Sequence, residues 1–137
     1  MTSRTPRTTT GSPAVPVVVL VSASWAAPSL PAPTVLRELS TRWGSRILTL
    51  LVEDPEDEVL EQWNVDVLPT WMRFQPGVPQ APLDEAQEER LRVAALSGLA
   101  PTGARVVLEG PWTLTRRRTG ALAKHVVETE FGPNAPL

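Results

Sequence analysis

The stretch Val17-Val18-Val19-Leu20-Val21-Ser22-Ala23-Ser24-Trp25-Ala26-Ala27-Pro28-Ser29 decides how the rest of the chain is read. Its first five residues form an unbroken β-branched and aliphatic run. Alternation marks a strand with one wet face, whereas an unbroken run suggests a strand covered on both faces, as in a parallel sheet flanked by helices. Residues 47–52 are a second such run. Between the two, Val35, Leu36, Leu39 and Trp43 recur at helical spacing. Ser29 or Thr34 can cap that helix, Pro31 and Pro33 suit its first turn, and Gly44 can end it. Strand, helix and strand in about 35 residues make a βαβ unit with a right-handed crossover.

Downstream of this unit, Asp54 reads as an N-cap with Pro55 as the first helical residue. Glu56, Asp57 and Glu58 then complement the helix dipole. Val59, Leu60 and Trp63 form the apolar stripe, and Asn64 suits a left-handed end. Residues 69–74 read as a third strand that begins at Pro69, which cannot donate to a ladder. Residues 76–105 allow two readings. A loop or short helix with Leu91, Ala94 and Ala95 inward, followed by a strand at 105–109, is favoured over two strands paired across the 100–104 turn. Residues 112–119 alternate, and their Arg116, Arg117 and Arg118 suit a solvated sheet edge. A last amphipathic helix places Leu122, Val126 and Phe131 inward.

At 137 residues the chain fits one domain with a real core, and 42% hydrophobic with 20% charged residues is a globular composition. A net charge of −2 gives no reason to expect nucleic acid or an anionic membrane as partner. No apolar run is long enough to span a bilayer. The basic start and the short apolar run at 17–21 resemble a signal peptide only loosely, because cleavage near Ala23 would remove a strand; a cytoplasmic protein is expected. Residues 1–14 read as a disordered tail, 15–132 as the domain with an insertion at about 76–111, and 133–137 as a loose end. With no cysteine and one histidine, His125, thiolate chemistry, disulfides and cysteine- or histidine-cluster metal sites are excluded, and no cofactor is expected.

Three segments together resemble the thioredoxin-like superfamily. The 17–29 stretch is similar to the strand that leads into the family's Trp-Cys-Gly-Pro-Cys motif, with Trp25 and Pro28 matching its Trp and Pro. Asp66-Val67-Leu68-Pro69-Thr70 resembles the family's cis-proline segment, and Gly120-Ala121-Leu122 with Lys124 resembles the start of its last helix. The resemblance covers about residues 16–75 and 112–131. It implies an α/β fold with a βαβαββα core, a mixed central sheet flanked by helices, and a cis Leu68–Pro69 peptide.

The departures bear on function. The family's two cysteines correspond to Ala26 and Ser29, so neither a nucleophile nor a resolving thiol is present. The family's buried acidic residue corresponds to Leu20 and its lysine neighbour to about Leu50, which implies that a buried charged pair has become apolar. That consistency favours a naturally inactive site over a trapping mutation. The expectation is a redox-inactive domain that binds a protein or peptide without covalent chemistry. Its groove would comprise Trp25, Ala26, Ala27, Pro28, Ser29, Leu68, Pro69, Gly120 and Ala121, with Leu68 offering backbone hydrogen bonds to an extended peptide. Two rivals remain. One is a cysteine-independent transferase that binds glutathione, with Ser29 steadying its thiolate. The other is a structural homodimer or subunit module built on residues 76–111. Ser29 is more simply a helix cap than a nucleophile, because no base is placed beside it. Trp43, Trp63, Trp71 and Trp112 are read as core.

Overall fold

A computed structural model describes residues 10–11, 15–27, 30–77 and 91–133. The first long strand, β2 (Val17–Ser22), is buried at every residue. It is buried because it is central: β3 (Leu48–Glu53) pairs with it in parallel, and β4 (Thr70–Pro76) pairs with it antiparallel on the other side. Helix α1 (Ala32–Trp43) makes the crossover from β2 to β3 and ends at Gly44, whose φ of 60° is in the left-handed region. A single 3-10 turn (Gly44–Arg46) then leads into β3. Helix α2 (Asp57–Gln62) links β3 to β4. Strands β5 (Arg92–Leu99) and β6 (Arg105–Thr119) form a hairpin, and α3 (Lys124–Phe131) closes the fold. The architecture is α/β: a mixed sheet of five strands, to which β1 (Thr10–Gly11) adds two residues on β6, with three helices among the described residues.

The period of two along β2 divides the interior into two cores. Val18 and Leu20 face α1 and α3, where they meet Leu36, Leu39, Trp43, Trp71, Val127 and Phe131. Val17, Val19 and Val21 face the other way, among Leu50, Trp63, Met72, Phe74, Leu96 and Trp112. Residues of α2 and of the β5–β6 hairpin belong to this second core or pack against it. Every tryptophan expected in the core is buried.

Strand β6 is shared. Its first part, up to Thr113, pairs with β5, and its last part, from Trp112, pairs with β4. The cis Gly110–Pro111 peptide falls just before this change of partner. Because β5 also meets β3 at Leu51 and Leu99, the strands β6-β4-β2-β3-β5 return to β6 and the sheet closes on itself. Closure is tight at Gly98. A Cβ there would lie 2.9 Å from the Leu51 carbonyl oxygen and 3.4 Å from the Leu50 Cβ. Only glycine lets β5 cross β3 at that separation.

Several local expectations are corrected. Residues 92–99 are a strand, not a loop or short helix, so the paired-strand reading of 76–105 holds for the described part; 78–90 lie outside it. Thr10–Gly11, within the stretch read as a tail, form a strand. Helix α1 begins after Pro31 with no side-chain cap, so Thr34 is not its cap. Helix α2 begins at Asp57 after Glu56, so Asp54 does not cap it and Pro55 is not its first residue. Val127, not Val126, is the buried valine of α3. Leu20 and Leu50 are both buried but lie in different cores, on opposite faces of the sheet. The residue registered with Leu20 on β3 is Leu51, also apolar. Arg116 and Arg118 face α3, where both pair with Glu130, while Arg117 points to the other face. There it donates to the Trp63 and Asn64 carbonyls at the end of α2, so it is engaged, not merely solvated. Asn64 has the expected left-handed φ of 56°.

Candidate functional site

Strand register gathers four loops at one end of the sheet. Ser22 is registered with Glu53, Val21 with Thr70, and Thr70 with Thr119. The segments that leave these positions are 23–27, 54–56, 66–69 and 120–123. The chain order dictates this: β2 and β3 are parallel and both end here, β4 is antiparallel and begins here, and β6 ends here.

The loop after β2 presents Trp25, which is 73% exposed. Ala26 is half-buried and Ala27 exposed. The Ala26 N–H donates to the Ala23 carbonyl at 3.1 Å, and the Leu30 N–H donates to the Ala27 carbonyl at 3.1 Å. Pro28 and Ser29, the rest of the expected groove on this side, lie outside the described residues. What fixes the loop is Asp54. Its carboxylate accepts from the Ser24 N–H at 2.7 Å and from the Ser24 hydroxyl at 3.1 Å. Asp54 adopts φ of 50°, a left-handed geometry that Asp tolerates better than most residues, and its own N–H donates to the Ser22 carbonyl. The pattern Asp-Pro-Glu that reads locally as a helix start is used instead to anchor a loop 30 residues away in sequence.

Across the sheet end, the Leu68–Pro69 peptide is cis. Pro69 is buried, and its carbonyl accepts from the Gly120 N–H at 2.7 Å. Gly120 has φ of 93°, which favours glycine, and Ala121 beside it is exposed. The Thr70 hydroxyl donates to the Val67 carbonyl. Leu68 is half-buried against the second core, and its backbone groups make no hydrogen bond to another described residue. The structure thus brings the described groove residues to one end of the sheet in two parts: the exposed loop with Trp25, Ala26 and Ala27, and the tied corner of Leu68, Pro69, Gly120 and Ala121.

Two residues not singled out in the sequence join them. Among the described residues the exposed large hydrophobics are Trp25, Leu30 at 62% and Val67 at 47%. All three lie on loops at this end of the sheet. Each sits next to strong local punctuation, Pro31 for Leu30 and the 68–69 corner for Val67, which hides an exposed apolar residue from periodicity. Chemically the site is poor. Ala26 carries nothing ionisable, and the Ser24 hydroxyl is held by a carboxylate with no histidine in the arrangement. His125 lines a separate depression with Trp43, Arg46 and Glu128. Among the described residues no group of three or more His, Cys, Asp or Glu is placed to hold a metal ion, and no helix is long and apolar enough to cross a membrane. No family model matches the chain, and no curated protein matches it.

Proposed function

We propose that this chain is a redox-inactive, thioredoxin-like domain that binds a protein or peptide without covalent chemistry at the sheet end carrying Trp25 and Leu68. One observation carries the reading: among the described residues the exposed large hydrophobics, Trp25, Leu30 and Val67, all lie at that end, beside the cis-proline corner. Solvent-exposed apolar groups gathered on one face are the usual mark of a docking surface. The element order β2-α1-β3-α2-β4-β6-α3, with β5 inserted before β6, supports the fold part of the reading because it follows the βαβαββα order. The absence of cysteine from the whole chain supports the inactive part. Leu68, with backbone groups free of other described residues, supplies the strand-like hydrogen bonds, and Trp25 supplies apolar area.

The test is a panned library of displayed peptides. Peptides enriched on the wild type are expected to lose about tenfold or more in affinity on Trp25→Ala, the scale of one aromatic anchor. Trp25 is exposed, so the variant keeps its fold. Equal binding to both proteins sinks the proposal, and so does reduction of insulin by the purified chain beyond that of the dithiol alone.

A further inference from the structure

A second surface lies on the far side of β3. We infer that the cleft between α2 and the open edge of β5 docks an extended basic peptide, which adds to β5 as a strand.

The first support is the edge itself. One side of β5 is taken by β6 along nearly its whole length. On the other side only Leu99 has a strand partner among the described residues, Leu51 of β3. Gly98 makes that crossing close, and no further register pair joins the two strands. From Ala95 to Ser97, β5 therefore presents backbone donors and acceptors to a cleft instead of to another described strand. An unpaired edge of this kind is a template for another strand.

The second support is the shape and charge of the space beside it. The cleft measures about 570 Å³, within the range that ligand sites occupy. Val52, Val59 and Trp63 supply its apolar wall. Glu53, Asp54 and Glu56 also line it, and among the described residues Arg105 is the one cation that does so. Glu53, Glu56 and Arg105 form no ion pair with another described residue; the four ion pairs among the described residues join Arg42, Arg116, Arg118 and Lys124 to Glu38, Glu128 and Glu130 elsewhere. Three carboxylates against one guanidinium leave its described lining negative. An added strand points alternate side chains to opposite sides. One set would meet the apolar wall and the other the carboxylates, so the occupant alternates apolar and basic residues.

This cleft adjoins the Trp25 end of the sheet, since Asp54 lines it and also holds the Trp25 loop, but Trp25 itself does not line it, so each proposal can fail alone. The probe is the synthetic peptide acetyl-Val-Lys-Val-Lys-Val-amide, titrated into the full chain and followed by amide chemical shifts and by the Trp63 indole signal. Saturable shifts at Ala95–Gly98 and Trp63 are expected. Affinity should fall at least fivefold in Glu53→Gln/Glu56→Gln, and on N-methylating the peptide backbone, and should be unchanged in Trp25→Ala. Both glutamates are exposed, so the double variant keeps its fold, as circular dichroism would verify. The inference is overturned if no binding is seen at millimolar peptide, if shifts map away from β5, if the Val-Glu-Val-Glu-Val counterpart binds as well, or if Trp25→Ala abolishes binding.

Discussion

Gly98 shows how much one missing methyl group can decide. A Cβ at that position would sit 2.9 Å from a backbone oxygen of β3, an atom that cannot swing aside. Gly98→Ala should therefore force the strands apart, at a cost of about 1–3 kcal/mol, the usual range for overpacking. Urea denaturation measures this directly, and an unchanged midpoint would show that the crossing has slack. Asp54 is the second decisive residue. Asp54→Ala removes two acceptors from Ser24, one in a charge-assisted bond to its N–H. The expected loss is about 1–2 kcal/mol, with much faster hydrogen exchange at the Ser24 amide. If exchange there is unaltered, the carboxylate does not hold the Trp25 loop. Neither role is visible in sequence. Asp54-Pro55-Glu56 satisfies every local rule for a helix start, and only the partner 30 residues earlier overrides it. The pairing of Leu20 with Leu50 fails for a related reason. A count off by one along a strand moves a side chain to the opposite face, and Leu51 is the true neighbour.

Elements became legible when their period was unbroken. β2, β3 and α1 were plain because nothing interrupts their apolar runs. β5 was hidden by a register shift between Val93 and Ala95, which breaks the alternation and leaves Leu91, Ala94 and Ala95 at helix-like spacing. β6 looked like two strands because Gly110-Pro111 resembles a stop. The corner at Leu68–Pro69 and the turn at Gly120 were legible only through the family resemblance, since no periodicity marks them. At the meeting of β4 and α3, one element carries an electrostatic burden. Arg73 is 3% exposed, and its cross-strand neighbour is Arg116. Burial, then the Arg116 charge, lower its pKa from the ordinary arginine value. Its Nη2 reaches the Gly132 carbonyl at 3.5 Å, a long bond at the end of α3, and its Nε has no partner. The shift means that folding works against the charge, and arginine stays charged at any ordinary pH. The penalty is thus constant across the working range instead of appearing at one pH. Arg73→Met should leave the protein as stable or raise stability by about 1 kcal/mol, a rise on the order of a few degrees in Tm. A lower Tm would mean that the guanidinium holds α3 in place.

For the molecule as a whole, the two cores are joined through one sheet, and β2 contributes to both. They should therefore unfold together. Tryptophan fluorescence, which reports Trp43 and Trp71 on one side and Trp63 and Trp112 on the other, is expected to trace the same urea transition as far-ultraviolet circular dichroism. Transitions that separate would mean that the hairpin side melts alone. The closed sheet also sets an order of events during synthesis. Of the described strands β6 is the last to leave the ribosome, and both β4 and β5 depend on it for a partner. A nascent chain that has reached only Leu99 holds two bare strand edges at once, with no way to satisfy either. The gain in the finished protein is fewer free edges. The cost falls on the growing chain, which stays exposed to pairing with other chains until Thr119 has emerged.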